Sequence, residues 1–136
     1  MTILKNEFLE VELNPKGAEI IKILGQRDGL NYMWRRDPSL WASSAPILFP
    51  IVGALKNNEC RIDNKTYSMT QHGFSRHNIY DTHEKSETCV EFELVPNEDI
   101  LKQYPYGKVE SGEVGLPVSK NDLILPCGIY GVWEEK

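Results

Sequence analysis

The chain predicts an all-β fold, an antiparallel β-sandwich with one or two short helical turns. Apolar and polar residues alternate with a period of two in short segments, clearest in Leu9-Glu10-Val11-Glu12-Leu13 and Val90-Glu91-Phe92-Glu93-Leu94. Clusters of Gly, Pro, Asn and Asp separate these segments at the spacing of turns between short strands. No internal repeat or low-complexity tract competes with that reading.

Each element follows from local chemistry. Ile3-Leu4 leads through a turn at Lys5-Asn6 into a strand over 8–13, whose glutamates mark a wet face. Asn14-Pro15-Lys16-Gly17 turns the chain into an isoleucine-rich strand over 18–24, ended by Gly25. Arg27-Asp28-Gly29 is a turn, 30–34 is a short strand, and Arg35-Arg36 is a solvated turn. Asp37 and Pro38 suit the N-cap and first position of one helical turn over 37–41. The apolar run 46–52 contains Pro50, which removes a ladder donor, so it is an edge or an interrupted strand. Segments 59–63 and 66–70 alternate around Asn64-Lys65, a tight hairpin turn. Strands over 78–84 and 88–95 flank a turn at 85–87, and Asn97 caps a short helix running to Tyr104. Beyond Pro105, glycines and prolines interrupt the pattern, and only 122–125 and 129–133 read as strands.

With 136 residues, one domain is expected over 1–136. A domain of this size buries roughly two thirds of the surface its unfolded chain exposes. The net charge of −5 and the scattered Lys and Arg weigh against a nucleic-acid partner. No apolar run approaches the roughly 18 residues of a membrane span, so no membrane partner is expected. The N-terminus has neither a long apolar core nor a small-residue cleavage site, and no signal peptide is expected. Cys60, Cys89 and Cys127 are widely spaced, odd in number and without a CxxC pair, which argues against a zinc site and fits a reducing cytoplasm.

The segment His72-Gly73-Phe74-Ser75-Arg76 places an imidazole and a guanidinium close together after strand-like sequence, the pattern of a site at a strand end. A neutral-range imidazole suits proton transfer, and a guanidinium fork suits hydroxyls or a phosphate. Gly73 suits close approach of backbone and ligand. Phe49, Phe74, Trp34 and Trp41 read first as core side chains, and Glu10, Glu12, Glu91 and Glu93 as solvated strand faces. His77 and His83 read as strand-face residues rather than metal ligands.

Taken in order, Gly17-Ala18-Glu19-Ile20, Tyr32-Met33-Trp34, Trp41, Pro46-Ile47-Leu48-Phe49-Pro50-Ile51-Val52-Gly53, Tyr67 and His72-Gly73-Phe74-Ser75-Arg76 resemble the N-terminal part of the aldose 1-epimerase (galactose mutarotase-like) family, especially its LacX-like bacterial branch. The resemblance covers about residues 2–106 and leaves 107–136 as a divergent Gly/Pro-rich tail. It implies a galactose mutarotase-like β-sandwich, here incomplete, and interconversion of the α and β anomers of a free hexose such as glucose or galactose, without metal or organic cofactor. A base takes the anomeric hydroxyl proton while an acid protonates the ring oxygen. The ring opens, the C1–C2 bond rotates, and the ring closes on its other face. The resemblance implies His72 as the catalytic group near the ring oxygen, with His72, Arg76 and Lys56 binding the sugar.

The departures are specific. Ala54 stands where the family has a sugar-contacting arginine, with Lys56 two residues on. The family's second histidine and its glutamate base have no recognisable counterpart, and Lys120-Asn121-Asp122-Leu123-Ile124 only faintly resembles a later family segment. Family members are also considerably longer. Two function classes follow: an aldose 1-epimerase-like isomerase, or a truncated, non-catalytic carbohydrate-binding remnant. In either case, uncovered strand edges favour self-association.

Overall fold

Alternation decides the first sheet. A computed structural model of the chain describes residues 1–106, 110–116 and 129–130. Strands β1 (Thr2–Lys5), β2 (Leu9–Asn14) and β3 (Glu19–Gly25) form an antiparallel sheet in the order β1-β2-β3. Leu4, Val11 and Leu13 are buried on one face. On the other, the Glu10 carboxylate bridges Lys5 at 2.9 Å and Lys22 at 3.3 Å, and Glu12 bridges Lys22 at 2.6 Å. Asn6 shapes the β1–β2 turn by accepting from the Phe8 and Leu9 N–H groups, both at 2.9 Å. The register shifts between Glu12 and Leu13, and the extra residue on β3 is the buried Ile21.

The middle of the chain departs from the expected strands. Residues 30–34 form none: Asn31 makes one bridge to Leu24, and its side chain accepts from the Ile23 and Met33 N–H groups in place of a ladder. Residues 37–41 form the expected single turn. The Asp37 carboxylate accepts from the Ser39 N–H at 2.9 Å, and the Asp37 carbonyl accepts from Trp41 at 2.7 Å. The 46–52 run is interrupted, as Pro50 dictates, and pairs only through a parallel bridge from Phe49 to Gly73. Strands β4 (Glu59–Ile62) and β5 (Lys65–Ser68) form the expected hairpin. Its turn is Asp63-Asn64, both in left-handed backbone at φ 47° and 63°, one residue earlier than Asn64-Lys65.

Strands β6 (Asp81–Ser86), β7 (Cys89–Leu94), β8 (Glu110–Gly115) and β9 (Ile129–Tyr130) form an antiparallel sheet in that order. Val90, Phe92 and Leu94 of β7 are buried, as their alternation requires. Helix α1 (Glu98–Gln103) starts at Asn97, whose side chain accepts from the Ile100 N–H at 2.9 Å, and it buries Ile100. Strand β8 was not expected, because its Ser and Gly content hides it; pairing along the whole of β7 supplies what propensity lacks. The expected strand over 122–125 lies outside the described residues. Of the strand expected over 129–133, Ile129 and Tyr130 are described, and they are paired.

One core joins the elements. Leu4, Val11 and Leu13 of the first sheet share it with Val90, Phe92 and Leu94 of the second, together with Phe74, Tyr80, Ile100, Tyr104 and Leu116. Full burial of each such aliphatic or aromatic side chain contributes roughly 1.5–3 kcal/mol. Leu116, beyond the family-like portion, belongs to this core, so the second sheet continues past residue 106.

Candidate functional site

The site is built on a turn pinned to a loop. Thr70 and Gly73 close the turn through a 3.0 Å backbone hydrogen bond, with His72 in left-handed backbone at φ 66°. His72 is then held twice by Gly53. Its N–H donates to the Gly53 carbonyl at 2.8 Å, and its Nδ1 accepts from the Gly53 N–H at 2.9 Å. An imidazole whose Nδ1 accepts carries its proton on Nε2, so the ring has a defined tautomer and a defined donor.

Gly73 explains why this turn can sit where it does. A Cβ there would lie 2.1 Å from the Phe49 carbonyl oxygen and 2.7 Å from the Pro50 ring. The close approach that requires glycine here is to the chain's own backbone. The same Phe49 carbonyl accepts from the Phe74 and Ser75 N–H groups, at 3.0 and 3.3 Å, where the short 3-10 helix Ser75–His77 begins. Phe49 and Phe74 meet edge to face and both contact Tyr104, which anchors loop and turn on the core as expected.

Arg76 returns to the turn. Its Nη2 donates to the Gln71 carbonyl at 3.1 Å, next to His72, and its Nε donates to His77 Nε2 at 3.2 Å. Lys56 is exposed in the segment Lys56–Asn58, three residues past Gly53. A cleft of about 260 Å³ takes in Arg76 and His77 with Lys16, Glu19 and Arg36, but neither His72 nor Lys56. The structure thus ties His72 and Arg76 to one turn and puts Lys56 on the loop that His72 grips.

Other expectations change. Trp34 and Trp41 are not core residues: they are 38% and 50% exposed, and the Trp34 indole N–H donates to the Trp41 carbonyl. Arg35 is exposed, but Arg36 is half-buried and lines the cleft. His83 lies on β6, 3.4 Å from Glu93, whereas His77 sits in the 3-10 helix rather than on a strand. Glu12, Glu10 and Glu91 are engaged in ion pairs rather than simply solvated. Among the described residues, no three His, Cys, Asp or Glu side chains come together in a way that could hold a metal ion, and no helix is long and apolar enough to cross a membrane. Two contributors were missed in the sequence. Gly53 is the partner of His72, signalled only by its place at the end of the apolar run. Glu19 folds the 36–46 loop by accepting from the Ser44 and Ala45 N–H groups, at 2.5 and 3.1 Å.

No family model matches the chain. It is 38% identical over 112 residues to the chromosomal protein LacX of Lactococcus lactis subsp. lactis, a match covering 78% of this chain and 37% of that protein. Its fold is similar to the galactose mutarotase-related enzyme of Lactobacillus acidophilus, with a TM-score of 0.82, 33% identity, and coverage of 85% of this chain and 39% of that one. It is equally similar to a galactose mutarotase-like protein of Lactobacillus casei, with a TM-score of 0.83, 31% identity, and coverage of 87% and 40%. Over the part it shares with them, the chain has a galactose mutarotase-like fold. It is similar in sequence to LacX and spans 37% of LacX's length.

Proposed function

We propose that the chain carries an aldose 1-epimerase-like sugar site centred on His72, acting on a free hexose such as glucose or galactose. The observation that supports this reading most is the double grip of Gly53 on His72, which leaves Nε2–H as the ring's donor. A donor so oriented suits the ring oxygen of a pyranose. There it hydrogen-bonds the negative charge that gathers as the C1–O bond breaks, while water takes the anomeric hydroxyl proton and supplies one to the ring oxygen; closure on the other face reverses the exchange. Arg76, tethered to the same turn, and Lys56 reach the hydroxyls. Ala54 follows the gripped glycine, so a guanidinium expected from the family is replaced there by a methyl group. The names of the relatives support the family chemistry for this chain.

Polarimetry on freshly dissolved α-glucose and α-galactose tests the reading, because spontaneous mutarotation is measurable. The expected result is acceleration by the protein that His72→Ala removes. Absence of acceleration, with tryptophan fluorescence still responding to sugar, would instead make the chain a non-catalytic carbohydrate-binding protein.

A further inference from the structure

Strand β6 (Asp81–Ser86) is a six-residue edge with no strand on its outer side among the described residues. The other edges of the two core sheets are shorter or covered. Beside β3, the Tyr32 N–H donates to the Ile23 carbonyl at 2.8 Å, and the Gly25 N–H donates to the Leu30 carbonyl at 2.9 Å. Strand β1 has four residues, and its Lys5 N–H donates to the Glu87 carbonyl at 3.1 Å. Of β9, two residues are described. One face of β6 is patterned in charge. Asp81 and His83 stand in register with Glu93 and Glu91 of β7. Lys85 is the residue skipped where that register shifts, and its ammonium still reaches Glu91 at 2.6 Å, which sets it on the same face. His83 Nε2 lies 3.4 Å from Glu93. Asp81 is directly across from Glu93, and among the described residues it forms no ion pair. Like charges so placed repel.

We propose that β6 is the interface for a second copy of this chain, paired antiparallel about a twofold axis perpendicular to the sheet. Such an axis keeps like faces together, so each residue meets one from its own face. Centred on His83, the pairing sets Asp81 opposite the second copy's Lys85, Thr82 opposite its Glu84, and His83 opposite its own counterpart. Each Asp81 carboxylate then gains an ammonium, once on either side of the axis. The neighbouring registers are worse. Centred on Glu84, the pairing opposes that carboxylate to itself and His83 to Lys85. Centred on Thr82, it leaves Lys85 and Ser86 opposite residues outside the strand. Charges that guard an edge against indiscriminate pairing here select one register. Pairing through so short a strand buries little surface, so the dimer is a weak one, in the class of contacts under about 1,200 Å².

Sedimentation velocity over a concentration series tests this with two charge reversals. The unaltered chain is expected to show a monomer–dimer equilibrium. Asp81→Lys and Lys85→Asp each set like charges opposite one another twice across the axis, and each is expected to weaken the dimer about tenfold. An equimolar mixture of the two variants opposes lysine to aspartate on both sides and is expected to recover the dimer. Asp81→Lys also gains Glu93 as a partner within its own chain, so its melting midpoint is not expected to fall. A dimer lost in that variant is therefore not a fold lost. A monomer at every concentration overturns the proposal. So does a dimer that both reversals leave unchanged, or a mixture that associates no better than the separate variants. The His72 reading stands or falls separately, because β6 contributes no residue to that turn.

Discussion

His72 occupies a left-handed backbone, φ 66°, that costs most side chains about 1–2 kcal/mol. Its two hydrogen bonds to Gly53 offset that cost, so the residue is over-determined in the way functional turns often are. Gly73, next in the chain, has no such freedom to vary. Gly73→Ala is expected to destabilise the protein by about 2–4 kcal/mol, because the added carbon combines a backbone overlap with a disfavoured φ. Urea unfolding measures it, and an unchanged midpoint would contradict the packing described. His77 makes a pH prediction. Its folded pKa lies below its ordinary value of 6.5, so in the window between them the unfolded chain binds a proton that the folded chain does not. Stability from this group is present above 6.5 and is lost as pH falls through the folded value. Replacing His77 with Gln should flatten the stability profile in that window; an identical profile would show that the group is not linked to folding. The His-Gly-Phe-Ser-Arg segment was legible because its residue types are chemically distinctive. The Gly53 partner was not, because a hydrogen bond across 19 residues leaves no local trace.

At the scale of elements, the legible strands were those with one dry and one wet face. Strands β2 and β7 announce themselves because Val11, Leu13, Val90, Phe92 and Leu94 are buried between polar neighbours. Strand β8 does not, since register with β7 rather than its own composition makes it a strand. Residues 30–34 were misread for the opposite reason: apolar side chains there are exposed, with Leu30 and Tyr32 each 59% accessible. Helix α1 was legible from its cap. Asn97→Ala is expected to cost about 1 kcal/mol, the usual worth of an N-cap, because the Ile100 N–H loses its acceptor while the buried Ile100 still needs the helix. Thermal melting of the variant reads this directly, and Asn97→Asp should restore most of the loss. Equal melting of all three would remove the cap from the account.

At the scale of the molecule, the two sheets share one core, yet the chain spans 37% of LacX and 40% of the L. casei structure it matches. Large apolar side chains stand in solvent, among them Leu40 at 74%, Val52 at 78% and Ile79 at 75% accessible. Among the described residues, β1, β3 and β6 end their sheets without a further full strand. Such edges and side chains favour pairing with another copy, so we expect concentration-dependent self-association in sedimentation velocity. A monomer at every concentration, with a cooperative melt, would contradict this. The family resemblance was legible because its motifs fall in order along the chain; the cationic cleft was not, because it draws Lys16, Arg36 and Arg76 from far apart. The account turns on His72 as an oriented donor at a sugar. Nitrogen NMR of the histidine rings, recorded with and without galactose, tests that claim most directly. The prediction is a His72 ring protonated at Nε2 and bare at Nδ1, with the Nε2 signal moving as galactose binds. A proton on Nδ1, or a ring indifferent to saturating galactose, would contradict it.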